Sequence, residues 1–133
     1  MKQAPRIGST GEKVVEVAPG DCITFADDRM PSVLSTPSLI GFLEHAARDA
    51  VGPFLEDHER SVGVLVEVEH LAPTPIGRRV VCRARVIHVD EPVVTFRLEA
   101  YEGKEAIARG LHKRRVIDVD RFARRVRKKA EGS

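Results

Sequence analysis

Between Thr36 and Val51 the apolar residues recur with a helical period. Leu39, Ile40, Leu43, Ala46, Ala47, Ala50 and Val51 gather on one face, and Ser38, His45, Arg48 and Asp49 lie opposite. Thr36 predicts the start of this helix because its hydroxyl caps a first turn, and Pro37 suits the first helical position, where a missing N–H costs nothing. Gly52-Pro53 stops it near Val51. Ala46, Ala47 and Ala50 are small enough to let the helix lie close on a sheet.

After residue 60 the period changes to two. Val62, Val64, Val66, Val68 and His70 alternate with Gly63, Leu65, Glu67 and Glu69, which predicts a half-buried strand carrying a histidine on its apolar face. Pro73-Thr74-Pro75-Ile76-Gly77 then forms a turn. In residues 78–89 Val80, Cys82, Ala84 and Val86 share one face, and in residues 93–101 Val94, Phe96, Leu98 and Ala100 do the same. Glu102-Gly103-Lys104 reads as a tight hairpin into a long strand from about Glu105 to Ile117. Asp118 then caps a last, basic helix, Val119 to Lys129. Upstream, residues 12–17 predict a short first strand, and residues 26–35, without a clean period, read as a loop placed to act as a lid. The order is strand, lid, one apolar-faced helix, then four strands with hairpin-like links. It implies an α+β architecture, an antiparallel sheet covered by one long helix. One helix is a thin cover for so many strands, so a second copy is expected to bury the remainder.

A chain of 133 residues holds one core, and residues 1–133 are read as one domain, with 118–133 as a basic C-terminal helix or tail. Residues 104–133 carry 11 Lys and Arg against 4 acids, although the whole chain is only +2. That end can meet an anion such as the phosphates of a cofactor, although a solvated basic tail is the commoner case. With 5% aromatic residues and no Trp, the chain is poorly supplied for stacking nucleic-acid bases, so no nucleic-acid partner is expected. No apolar run is long enough to span a bilayer and the first residues lack a signal-peptide core, so no membrane partner and a cytoplasmic location are expected. Cys22 and Cys82 stand apart without CxxC spacing, which argues against a metal site.

Phosphate loops and GxSxG or HExxH motifs are absent, which leaves three polar residues in apolar settings: Thr36, Glu44 and His70. Glu44 lies two turns beyond Thr36, roughly 12 Å of helix rise, at the margin of the apolar stripe. Taken singly each has a plain structural reading. Glu44 can pair with Arg48 one turn on, Thr36 can be a cap, and His70 can be a core histidine bonded to a carbonyl.

Together they fall into a known arrangement. The segment Ser35-Thr36-Pro37-Ser38-Leu39-Ile40-Gly41-Phe42-Leu43-Glu44-His45-Ala46-Ala47, then Val62-Gly63 and Val66-Glu67-Val68-Glu69-His70-Leu71-Ala72-Pro73-Thr74-Pro75-Ile76-Gly77, closely resembles the hot dog fold thioesterases of the fluoroacetyl-CoA thioesterase type. The likeness continues through Ile107 to Arg114 and into Asp120-Arg121-Phe122, with Thr, Glu and His spaced 8 and then 26 residues apart as in that family.

The resemblance implies a hot dog fold, a homodimer, and hydrolysis of an acyl-CoA thioester to a carboxylate and free CoA, with no metal and no cofactor beyond the CoA substrate. Carried over residue by residue, Glu44 matches the catalytic carboxylate, Thr36 the hydroxyl working beside it and His70 the histidine base. Gly63 matches a glycine whose N–H helps bind the thioester carbonyl, and Arg114 an arginine near the substrate pocket. A thioester carbonyl has weak resonance, so a carboxylate can attack it or activate water against it, given a fixed donor for the oxyanion. The alternative is a noncatalytic acyl-CoA-binding protein, which the joint presence of Thr36, Glu44 and His70 disfavours. The chain departs from the fluoroacetyl-CoA enzyme where that enzyme has a Phe-rich lid. Here Phe25-Ala26-Asp27-Asp28-Arg29-Met30-Pro31 puts polar residues where that lid would be, and between Asp27 and Val33 Met30 is the main apolar residue and the candidate for substrate contact, so hydrolysis is expected without fluoroacetyl selectivity.

Overall fold

Ser35, rather than Thr36, caps the long helix α1 (Thr36–Val51): its Oγ accepts a hydrogen bond from the Ser38 N–H at 3.2 Å. Ser35 has the extended backbone of a cap, so Thr36 occupies the first helical position and Pro37 the second. This corrects the expected start by one residue and frees the Thr36 hydroxyl for another partner. Leu39, Leu43, Ala46, Ala47, Ala50 and Val51 form the buried face, with Ile40 half-buried at its edge. The computed structural model describes residues 1–132, and α1 there lies across a curled antiparallel sheet.

The strands are β1 (Thr10–Glu16), β2 (Glu59–His70), β3 (Arg79–Asp90), β4 (Val93–Glu102) and β5 (Glu105–Asp118). Their order across the sheet is β1-β3-β4-β5-β2. β1 begins two residues earlier than its apolar pattern suggests, because Gly11 lies directly beneath α1. A Cβ at residue 11 would stand 2.6 Å from the Ala50 backbone nitrogen, so glycine facing alanine permits the close approach. The alternating faces of β3 and β4 are inside as expected: Val80, Cys82, Ala84, Val86, Val94, Phe96, Leu98 and Ala100 are all fully buried. Burial there pushes the Cys82 thiol up to about 12, which leaves it inert.

Two features depart from the expected pattern. β2 and β3 are not hairpin neighbours. The segment between them is too long and proline-rich for a two-residue turn, and it crosses the sheet, pinned by Leu34 N–H to Thr74 C=O at 2.9 Å and Gly77 N–H to Val17 C=O at 2.8 Å. β2 is therefore an edge strand, and it carries a bulge at Val64, between the Gly63–Arg114 and Leu65–Lys113 pairs. The bulge breaks the period-two phase. Val64 and Val66 are 53% and 37% exposed while Val62, Val68 and His70 are half-buried, so the apolar face expected inside is only partly covered in a single chain.

The last helix, α2 (Val119–Glu131), starts as expected: Asp118 Oδ1 accepts from the Arg121 N–H at 3.0 Å, which holds the Asp118 carboxyl below its ordinary range. No helix among the described residues is long and apolar enough to cross a membrane.

Candidate active site

The Thr36 hydroxyl, spared from capping, meets His70 at the end of β2. Thr36 Oγ1 and His70 Nδ1 are 2.8 Å apart. They line a depression of about 330 Å3 with Leu34, Leu71, Ala72 and Pro73. The other ring nitrogen, Nε2, is buried without a hydrogen-bond partner among the described residues. Burial in these apolar surroundings lowers the His70 pKa, with the Ala72 backbone opposing it, so the ring stays neutral to lower pH than an ordinary histidine. A neutral ring bonded to a hydroxyl, with its second nitrogen unsatisfied, is poised to exchange a proton.

Glu44 sits elsewhere. Two turns along α1 from Thr36, its Oε2 lies 3.4 Å from Arg114 Nη1. The plain reading of Glu44 as a partner of Arg48 is therefore replaced, because β5 delivers an arginine from beneath. Arg114 is 6% exposed and almost fully bonded: Nε donates to Ser61 Oγ at 2.8 Å and Nη2 to the Ser61 carbonyl at 2.9 Å. A second depression, of about 240 Å3, opens here between Gly41, Glu44, His45, Arg48 and Arg114.

Gly63 adjoins the same carboxylate. A Cβ at residue 63 would stand 2.7 Å from Glu44 Oε2 and 3.2 Å from His112 Cε1. The position has room for glycine alone unless Glu44 moves. Gly63→Ala is expected to leave the fold intact and to lower kcat by about 10- to 100-fold through displacement of the carboxylate. Thiol-release kinetics beside a melting curve check this, and a wild-type kcat would detach Gly63 from the site.

Within one chain the candidates thus form two clusters, Thr36 with His70 and Glu44 with Arg114 and Gly63. Within one chain the Thr36 hydroxyl, which the resemblance puts to work beside the carboxylate, is bonded to His70 instead and stands two helical turns from Glu44. Met30 lies outside both linings, exposed in a turn that Asp27 Oδ1 closes by accepting the N–H groups of Arg29 and Met30, each at 2.9 Å. The arginines of α2 also lie outside both linings.

Sequence reasoning missed Ser61 and His112. Both sit on inward positions, His112 being fully buried two residues from Arg114. The available signal was phase: His112 and Arg114 fall in step with the buried Ala108 and Val116 of β5, and a polar pair inside an apolar row has to be satisfied by something.

Residues 17–120 match the family described as FlK, fluoroacetyl-CoA-specific thioesterase. The fluoroacetyl-CoA thioesterase of Streptantibioticus cattleyicolor is 35% identical over 99 residues, 74% of this chain and 71% of that protein. Among solved structures, a point mutant of the fluoroacetyl-CoA-specific thioesterase FlK superposes with a TM-score of 0.87 at 31% identity, over 96% of this chain and 99% of that one. Another FlK point mutant, in complex with fluoroacetate and CoA, gives 0.80 at 29% identity over 88% and 98%. A Thermus thermophilus member of the thioesterase superfamily gives 0.86 at 27% identity over 98% and 99%. The curled sheet around α1 is the hot dog fold these structures share.

Proposed function

The chain belongs to the fluoroacetyl-CoA-specific thioesterase family and is a thioester hydrolase, and from that premise we propose that it hydrolyses an acyl-CoA through Glu44, Thr36 and His70. The observation that carries this reading is the Glu44 carboxylate, held against Gly63 by a buried arginine and open to a depression on its other side. A carboxylate so held either attacks the thioester carbonyl or takes a proton from the attacking water. The N–H of Gly63 is assigned to the developing oxyanion, because the bare Cα lets a carbonyl approach as close as the carboxylate does. His70, neutral and bonded to Thr36, is the base of this reading: it takes up the proton that the attacking water gives up, directly or by way of Glu44, and as the imidazolium returns it to the CoA thiolate. No metal or cofactor is needed for these steps. Release of free thiol from a panel of acyl-CoAs of rising chain length tests the proposal, and failure to hydrolyse any of them would overturn it.

The reading requires Glu44 and the Thr36–His70 pair to act on one thioester, although one chain holds them two helical turns apart. We therefore place them in a pocket shared by a homodimer, joined where the exposed apolar edge of β2 would otherwise meet water. Light scattering is expected to give close to twice 14.7 kDa. Mixing and reannealing Glu44→Gln with His70→Ala chains should restore about a quarter of wild-type activity, since half the dimers are mixed and each then holds one intact shared site. An active monomer, or no recovery on mixing, would place all three groups in a single chain's site.

The acyl group is proposed to be larger than fluoroacetyl. Asp27, Asp28, Arg29 and Met30 are exposed, and a pocket that separates hydrogen from fluorine has to be dry and closely shaped, since small apolar differences are worth about 1–3 kcal/mol. The ratio of kcat/KM for fluoroacetyl-CoA over acetyl-CoA should not exceed the ratio of their nonenzymatic hydrolysis rates, and a bulkier ester should surpass both. A fluoroacetyl preference well above that reference would show a selective lid.

A further inference from the structure

We infer that His112 is a positioning residue, holding the Arg114 guanidinium, and through it the Glu44 carboxylate, in the orientation that reacts. The inference rests on the assignment of Glu44 to the chemistry, and it concerns a side chain beneath the surface of the site. His112 is fully buried on β5. Its Nδ1 lies 2.8 Å from the Leu65 carbonyl oxygen. A carbonyl can only accept, so the ring proton sits on Nδ1 and the lone pair is left on Nε2. That lone pair faces Arg114 Nη1 at 3.2 Å, the same nitrogen that reaches Glu44. One N–H of Nη1 is thus directed to the histidine and the other to the carboxylate. Ser61 fixes the opposite edge of the guanidinium, so the plane is held at Nε, Nη1 and Nη2.

The same ring connects the bulge of β2 to the site. Leu65 is the residue just beyond the bulge at Val64, and its carbonyl, which His112 satisfies, lies two residues from Gly63. An apolar side chain of equal size would pack against Phe96, whose ring centre is 6.0 Å away, but would leave both the Leu65 carbonyl and the Arg114 N–H without their partner. The arrangement needs a neutral imidazole, because a proton on Nε2 would point at the guanidinium. The surroundings keep it so: burial is the largest influence and lowers the His112 pKa, Arg114 lowers it further, and the Leu65 carbonyl and Glu44 oppose. Arg48 on α1 adds a second positive charge near Arg114.

Three substitutions separate positioning from packing. The Gln of His112→Gln can present an oxygen to Arg114. The Asn of His112→Asn can still donate to Leu65 but falls short of Arg114, and the Phe of His112→Phe does neither. For Asn and Phe, kcat is expected to fall about 10- to 100-fold with KM within about twofold, while Gln stays within about threefold of wild type. Equal loss in Gln and Asn, or wild-type kcat in Asn, would overturn the inference. If His112→Phe does not fold, the comparison of Gln with Asn decides alone. Nitrogen-15 NMR of the full chain gives a readout independent of turnover: His112 should be the neutral Nδ1–H tautomer at pH 7, and slow exchange of the Arg114 guanidinium protons should persist in Gln and be lost in Asn. An imidazolium or Nε2–H tautomer at pH 7 would overturn the assignment. A chain that hydrolyses no acyl-CoA would instead fail the functional reading, with the NMR results still deciding whether His112 positions Arg114.

Discussion

Glu44→Gln is expected to bring thiol release from acyl-CoA down to background, a loss of at least about 10⁴-fold, with the hot dog fold and the assembly unchanged. Glutamine has the size of glutamate and an oxygen that can still accept from Arg114 Nη1, so the local geometry survives. The amide cannot attack a carbonyl or take a proton from water. Stability should barely move, because the Glu44 side chain is 38% exposed and its ion pair with Arg114 is partly screened by solvent. Arg114 keeps its bonds to Ser61 and His112 in either case. The measurement is a single-turnover assay on the purified variant beside a melting curve. Wild-type turnover would remove Glu44 from the chemistry and leave the carboxylate as a surface partner of Arg114.

The parts of the molecule legible in the sequence are those set by local chemistry. The period of α1, the proline after its start and Gly52-Pro53 at its end, the alternation of Val80 to Val86 and of Val94 to Ala100, and the Asp118 cap each act within a few residues. What the sequence did not disclose depends on neighbours distant in the chain. The pairing of β2 with β5 makes β2 an edge, and the bulge at Val64 shifts the phase so that Ser61 and Gly63 before it share a face with Val66, Val68 and His70 after it, while the period-two pattern alone puts Val62, Val64, Val66, Val68 and His70 on one side. The partner of Glu44 was misread for a similar reason. Arg48 is visible four residues away, whereas Arg114 is 70 residues distant and reaches Glu44 because β5 passes under α1. Thr36 shows the converse. A threonine before Pro37 looks like a cap, but Ser35 takes that role, and the hydroxyl is released to a histidine 34 residues on.

That released hydroxyl leads to the second large effect. Thr36→Val and His70→Ala should each lower kcat by about 10²- to 10⁴-fold, the range for loss of a general acid–base group or its partner, and the double variant should lose little more than His70→Ala because the two act as a unit. Their pH dependence distinguishes the roles. Burial lowers the His70 pKa from the ordinary 6.5, so the imidazole stays neutral, and able to accept a proton, down to below that value. Activity is then retained as pH falls through 6.5 and lost only as it passes the lowered value, where protonation takes away the lone pair. The acid limb of kcat/KM should therefore lie below pH 6.5 in the wild type and should vanish in His70→Ala. Thr36→Val keeps the histidine, so it should retain the limb while lowering the plateau. His112 is also buried with a lowered pKa, yet it sits with Arg114 rather than Thr36, so a limb that belonged to His112 instead would survive in His70→Ala. Survival of the limb unchanged in His70→Ala would assign the titration to that second histidine and remove His70 from proton transfer.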